Sequence, residues 1–330
     1  MKTYTLGIIG CGDFLRWQED ALRQSRHIRV KSLYDPNRER SAKYASRLQA
    51  GIADDADEIL GDPEVDIVCL FVPPWLRRDL MIRAAGSGKH ILATKPLAST
   101  VADAEDIVRA VGGRVRCGLL YGRTGNALIE TAKNVFDGGE IGKMALYRQD
   151  WLHHYPAWND WALDPDKNGG PFMDAMIHNL NAAQYLAGGP PTRATLFSDN
   201  LAHPALRCGD TECMKVDFAG HAAAYLFITW AADLAVHSTD GNDREHIDIF
   251  YMISSGGWRV TPGQRDGKGV LVASREGRER VYPIVWDQAP AYQRFVETLD
   301  ANLPLPRDFV SLEGGALDVR LVRQPETIGK

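Results

Sequence analysis

The hydrophobic and polar positions of this chain fall into two regimes that change near residue 122. In the first, short apolar runs alternate with stretches of helical spacing. A run from Tyr4 to Ile9 leads through Gly10-Cys11-Gly12-Asp13 into a helix from Phe14 to Gln24. Ile28 to Tyr34 is the next strand, followed by a helix over Arg38 to Leu48. Val65 to Val72 is continuously apolar but for Asp66, as a strand buried on both faces is, and Pro73-Pro74 stops it. Leu76 to Ala85 reads as helix and ends at Gly86-Ser87-Gly88; His90 to Ala93 reads as strand and closes on Thr94-Lys95-Pro96. Thr100 and Asp103 open a capped helix to Val111, and Val115 to Tyr121 is the last strand of the series. Such alternation predicts an α/β domain over residues 1–122, a doubly wound parallel sheet with ligands at the carboxyl ends of its strands.

In the second regime, residues 123–330, strands dominate. A helix from Gly125 to Phe136 precedes a strand at Met144 to Asp150, and a polar loop over Asp164 to Gly170 precedes a helix from Phe172 to Leu186. Strand patterns then cover Arg193–Ser198, Glu212–Phe218, Ala222–Ala231, His246–Ile253 and Gly257–Val260, with shorter ones to Tyr282. Consecutive strands with few helices predict a large open, mostly antiparallel sheet in a separate α+β domain. A helix at Ala289–Leu299 follows, and Leu312 to Val322 reads as a short helix that packs the tail back on the first domain.

Composition adds exclusions. The chain has 330 residues, 45% hydrophobic and 25% charged, which suits a folded globular protein. A net charge of −5 without a basic block points away from nucleic acid and from anionic membranes. No basic n-region with an apolar stretch opens the chain and no run is long enough to span a bilayer, so a cytoplasmic protein is expected. Five scattered cysteines fit a reducing compartment, and His203, Cys208, Cys213 and His221 do not have the spacing of a zinc site, so no metal is expected.

Strand, glycine turn and helix at Gly10-Cys11-Gly12 form the context of a dinucleotide fingerprint. Gly10 allows the tight turn, Gly12 allows close approach to a pyrophosphate, and the backbone at Asp13 and Phe14 opens the helix whose N-terminus attracts the anion. Leu15 stands where a third small residue would permit close helix–strand packing, which weakens that expectation. Asp35 ends the second strand, 23 residues after Gly12, where an acid accepts from the adenosine ribose hydroxyls and repels a 2′-phosphate. NAD is therefore expected, with NADP left open by Arg38 and Arg40. Asp35-Pro36-Asn37 also reads as a plain helix start, and both readings can hold.

Pro73, Pro74, Thr94 and Lys95 fall at strand ends on the same edge. A lysine there can donate to a substrate hydroxyl or carbonyl oxygen. Asp174 and His178, four apart on one helix, share a face, and a histidine exchanges protons near neutral pH. Trp151 to Trp161 holds His153, Tyr155 and Trp161, whose aromatic and polar groups suit sugar rings; a packed aromatic cluster is the alternative.

Taken together, Gly7-Ile8-Ile9-Gly10-Cys11-Gly12, Gly88-Lys89-His90-Ile91-Leu92-Ala93-Thr94-Lys95-Pro96-Leu97-Ala98 and Gly169-Gly170-Pro171-Phe172-Met173-Asp174-Ala175-Met176-Ile177-His178, supported by Arg123 and Gly139-Glu140-Ile141-Gly142, resemble the Gfo/Idh/MocA oxidoreductases. The resemblance implies a Rossmann domain, an open-sheet domain, and a homodimer or homotetramer formed through that sheet. It also implies a small polyhydroxylated substrate, with Lys95, Asp174 and His178 catalytic and Arg123 on the substrate side. Departures are Thr94 for a glutamate, Arg77 for a histidine, Pro171 for a glycine and Asn181 for an aspartate. The reaction implied is NAD(P)-dependent hydride transfer at a secondary alcohol of a sugar or cyclitol, with His178 taking the hydroxyl proton. Reduction of another carbonyl or unsaturated substrate, or cofactor binding without turnover, are the alternatives.

Overall fold

The computed structural model describes residues 1–122, 126–152, 160–231, 247–286, 288–306 and 309–326. The chain forms two compact units, Met1–Tyr121 with Asp287–Val319, and Gly122–Trp286 with Arg320–Lys330.

The first unit runs β1 (Tyr4–Ile9), α1 (Asp13–Gln24), β2 (Ile28–Tyr34), α2 (Arg38–Leu48), β3 (Gly51–Ile52), α3 (Ala56–Gly61), β4 (Ile67–Leu70), α4 (Pro74–Gly86), β5 (His90–Thr94), α5 (Val101–Val111) and β6 (Cys117–Leu120). The strands are all parallel, in the order β3-β2-β1-β4-β5-β6. Every residue of β1 and β4 is buried, which is why their sequences run apolar instead of alternating. Strand order reverses between β1 and β4, so their carboxyl ends form the crevice where such sheets bind ligands. β3 and α3 escape a reading by periodicity because they are too short to show one. Asn37 and Thr100 cap α2 and α5 by accepting the amides of Glu39 and Asp103, and Pro74 opens α4 where its missing N–H costs nothing. Leu15 corrects the weakened packing expected of it: it is fully buried in one cluster with Leu6, Ile8, Leu33 and Phe71.

The second unit runs α6 (Ala127–Gly138), β7 (Met144–Leu152), a wide π-type turn (Phe172–Met176), α7 (Ile177–Ala187), β8 (Pro191–Asp199), β9 (Thr211–Phe218), β10 (Ala222–Thr229), β11 (Ile247–Ser254), β12 (Arg259–Arg265), β13 (Lys268–Arg275) and β14 (Arg278–Pro283). Its sheet has the order β14-β13-β12-β11-β7-β10-β9-β8. All neighbours are antiparallel except β7 and β10. One face packs under α7, α6 and the turn through residues such as Tyr147, Met214, Val216 and Leu226. The other face carries Phe197, Tyr225, Phe227, Ile249 and Tyr251 at the alternate positions, with Phe197 62% exposed.

The C-terminal segment returns to the first unit. α8 (Ala291–Asp300) lies against α1 and β2, and its Tyr292, Phe295 and Val296 enter the same cluster as Leu15. Val310 then pairs with Leu119 through two backbone bonds of 2.9 and 3.1 Å, which covers the outer edge of β6. α9 (Leu312–Arg323) carries Gly314-Gly315 in its first turn, and a Cβ on Gly315 would meet Leu119 and Leu97. Because Phe295 is fully buried there, Phe295→Ala is expected to destabilise the first unit by about 3–5 kcal/mol. Urea denaturation checks this, and a loss below about 1 kcal/mol would mean that α8 is not part of that core.

Candidate functional site

In the first unit the glycine turn is built by close backbone contact. Gly10 has φ +100°, and a Cβ on it would lie 2.5 Å from the Phe71 carbonyl oxygen, so only glycine fits. Gly12 precedes α1 with open space around its Cα, and no side chain caps the helix. The first-turn amides are thus left to a ligand, and Asp13 there is exposed. Phe14 packs edge-on against Phe71 with ring centres 4.9 Å apart, which fixes where the helix starts. Asp35 accepts from the Cys11 amide at 2.8 Å through Oδ2 and from the Asn37 amide at 2.9 Å through Oδ1. It therefore braces the turn and starts α2 at once. Arg38 is exposed and pairs with Asp54 at 2.8 Å. A cradle that a Cβ would fill, an uncapped helix N-terminus and an acid at the tip of β2 fit a dinucleotide.

Farther along the same edge, Pro73 precedes α4, buried Thr94 ends β5, and half-buried Lys95 follows it. Arg77, read only as a departure, turns out to be a structural tie. It is fully buried and donates to the carbonyls of Pro96 and Val72, the latter at 2.6 Å, so it holds together the loops that leave β4 and β5. Burial lowers its pKa to about 10.

In the second unit the expected helix at Phe172 opens as a π-type turn, a form that often marks functional positions. Asp174 and His178 are both half-buried on it and on α7. Asn168 donates to Asp174 Oδ1 at 3.0 Å. The Gly122 amide donates to Nδ1 of His178 at 2.9 Å. A neutral imidazole has one donor and one acceptor nitrogen, so this bond places its proton on Nε2. Trp161 is half-buried on a single 3-10 turn, Asp160–Leu163. Arg123, His153 and Tyr155 lie outside the described residues.

In the sequence Glu212 marks only the start of a strand, yet it is 7% exposed beneath the turn. It accepts from the Phe172 amide at 2.7 Å and from Ser198 Oγ at 3.2 Å. Burial pushes its carboxyl up to about 7, against the opposing pull of those bonds and of Arg323. The signal was available: residue 212 shares the inward register of Met214 and Val216. His203 bonds Asp210 at 3.2 Å, and among the described residues no three His, Cys, Asp or Glu side chains group as a metal site.

Residues 4–117 match the oxidoreductase family with an NAD-binding Rossmann fold, and residues 129–250 match the GFO/IDH/MocA C-terminal domain. The chain belongs to the Gfo/Idh/MocA oxidoreductase family. A 2,7-anhydro-N-acetylneuraminate hydratase of Mediterraneibacter gnavus is 28% identical over 70% of this chain and 62% of its own length. The chain thus spans less than two thirds of that relative. A 1,5-anhydro-D-fructose reductase of Ensifer adhaerens is 28% identical over 72% of this chain and 74% of its own. An aldose-aldose oxidoreductase from Caulobacter crescentus, complexed with glycerol, has the same fold, with a TM-score of 0.80 at 21% identity over 98% of this chain and 96% of that one. Within the Gfo/Idh/MocA pattern, Pro171 and Asn181 are buried, so those two departures lie inside the fold of the second unit.

The Gly122 bond makes a direct prediction. In ¹⁵N-histidine-labelled protein at pH 8, His178 is expected to be protonated on Nε2 with Nδ1 bare. A ring protonated on Nδ1 would exclude the bond.

Proposed function

We propose that the chain is an NAD-dependent oxidoreductase that interconverts a secondary alcohol and a ketone on a sugar, cyclitol or related cyclic polyol. The observation that carries this reading is the half-buried placement of Asp174 on the π-type turn and of His178 on α7, four residues on, with the imidazole held by Gly122. The relatives named above, an anhydrosugar hydratase and an anhydrofructose reductase, support a cyclic polyhydroxylated substrate. The Gly10-Gly12 turn and the opening of α1 would hold the pyrophosphate. Asp35, whose two oxygens keep further lone pairs, would accept from the adenosine ribose. Arg38 is turned to Asp54, which favours NAD over NADP. Pro73, Pro74, Thr94 and Lys95 would line the nicotinamide end. When bound, the cofactor supplies the hydride chemistry.

The chain's own part is the proton and the charge on oxygen. With Nδ1 occupied, His178 donates from Nε2 to the reacting oxygen and stabilises the charge that grows there. Lys95 then carries the proton, a change from the role expected of His178, and Asp174 orients the turn. Trp161 supports one wall for the polyol. Arg123, His153 and Tyr155 remain candidates for its hydroxyls. The exposed Phe197 and Ile249 and the half-buried Tyr225, Phe227 and Tyr251, on the sheet face opposite α7 and the π-type turn, support a homodimer or homotetramer. Among the described residues no helix is long and apolar enough to cross a membrane.

A panel of cyclic polyols and ketoses, assayed with NAD and NADP at the absorbance band of the reduced nicotinamide, tests the reading. Turnover with NAD is expected, and Lys95→Ala and His178→Ala should each lower it about 100- to 10,000-fold with little change in NAD affinity. Near-full turnover in both variants would make them scaffold. Light scattering at micromolar concentration should give a dimer or larger, and a monomer would refute assembly through the sheet.

A further inference from the structure

The loop that precedes Asp174 and His178 is gripped from both sides by charged groups, the half-buried Arg323 and the buried Glu212. Arg323 of α9 donates to the Asn168 carbonyl at 3.0 Å and the Pro165 carbonyl at 3.4 Å. Glu212 of β9 takes the Phe172 amide at 2.7 Å. Between these grips lie Gly169, φ +56°, and Gly170, φ +98°. A Cβ on Gly169 would lie 3.0 Å from Arg323 Nη1, and one on Gly170 would lie 3.1 Å from Glu212 Oε1. Both glycines are required by their own backbone, and Gly169 also by the Pro165 backbone, whose Cα such a Cβ would approach to 2.6 Å; the two charged groups close tightly around them. Asn168, held by Arg323 through its carbonyl, donates through its side chain to Asp174 at 3.0 Å. The Asp174 amide in turn bonds the Gly170 carbonyl at 3.1 Å. Each link lies in the second unit.

We propose that Glu212 and Arg323 form a clamp that positions the turn bearing Asp174 and the start of α7 bearing His178, with Glu212 as the positioning residue. The clamp rests on the reading of Asp174 and His178 given above, but its geometry is independent of which substrate they serve. An ionised carboxylate is the stronger acceptor for the Phe172 amide, so the grip tightens as Glu212 loses its proton. The groups that face it are Arg323 from α9, Cys208 from the β8–β9 connection, Ser198 from β8 and the Phe172 amide. The ordinary glutamate value is 4.5 and the folded value is about 7. Stability owed to the protonated form is therefore fully present below about 4.5 and is lost as pH rises through about 7. The clamp is thus tightest where the fold bears the full cost of the buried charge.

The test compares wild type with Glu212→Ala, Glu212→Gln and His178→Ala. Glu212→Ala should lower kcat at least tenfold at pH 8 while NAD binding, measured by fluorescence titration, changes less than twofold. Glu212→Gln keeps an acceptor for the Phe172 amide and should recover kcat to within about threefold of wild type. It should also lose the inflection near pH 7 in kcat and the decline of stability across that window. The His178 ring ¹⁵N resonances provide a readout that does not need turnover: Glu212→Ala should shift or broaden them and Glu212→Gln should restore them. That pattern supports the clamp even if His178→Ala proves active, an outcome that would count against the catalytic reading alone. Unchanged His178 resonances in Glu212→Ala would overturn the clamp, as would equal losses of kcat in the Ala and Gln variants.

Discussion

The approach of the Gly10 backbone to the carbonyl of Phe71 is the constraint on which the first unit depends. β1 and β4 are neighbours in the sheet, and the chain must leave both at the same edge. A side chain at position 10 would force those exits apart. With them together, Phe14 can lock on Phe71, α1 can start at Asp13, and Asp35 can reach across from β2 to the Cys11 amide. Three chain segments are thus joined around a space lined by amides, and its preference for an anion follows from the backbone itself.

Both units use buried or half-buried charge at loops, where backbone groups lack the partners that a strand or helix provides. Arg77 serves the carbonyls of Val72 and Pro96, and Arg323 serves those of Pro165 and Asn168. Glu212 does the complementary task for an amide. Burial costs each of them, which shows in the lowered pKa of both arginines and the raised one of the glutamate. Such groups are poor contributors to net stability, but once present they specify one loop path, because removing one leaves its partners unsatisfied.

The fold was legible wherever a period had room to repeat. The continuous runs of β1, β4 and β10, the alternation in β9 and the cap at Thr100 all read directly from the sequence. β3 and α3 were not legible, because two and six residues hold no full pattern. At the site, Gly10 and Asp35 were legible because their roles are local. Arg77 and Glu212 were not identified as ties, because their partners come from other elements and only the fold brings those together. The Gly122–His178 bond is of the same kind, joining residues 56 positions apart.

The return of the C-terminal segment to the first unit has a consequence for biosynthesis. α8 fills the core beside Leu15, and Val310 closes the edge of β6. An emerging chain with all six parallel strands would still lack both, with an apolar gap and an open strand edge facing its surroundings. The intervening unit, Gly122–Trp286, can complete itself first except for its short C-terminal piece. The Rossmann unit, first to be synthesised, is therefore among the last to be finished, and it is exposed to strand addition by other chains while it waits.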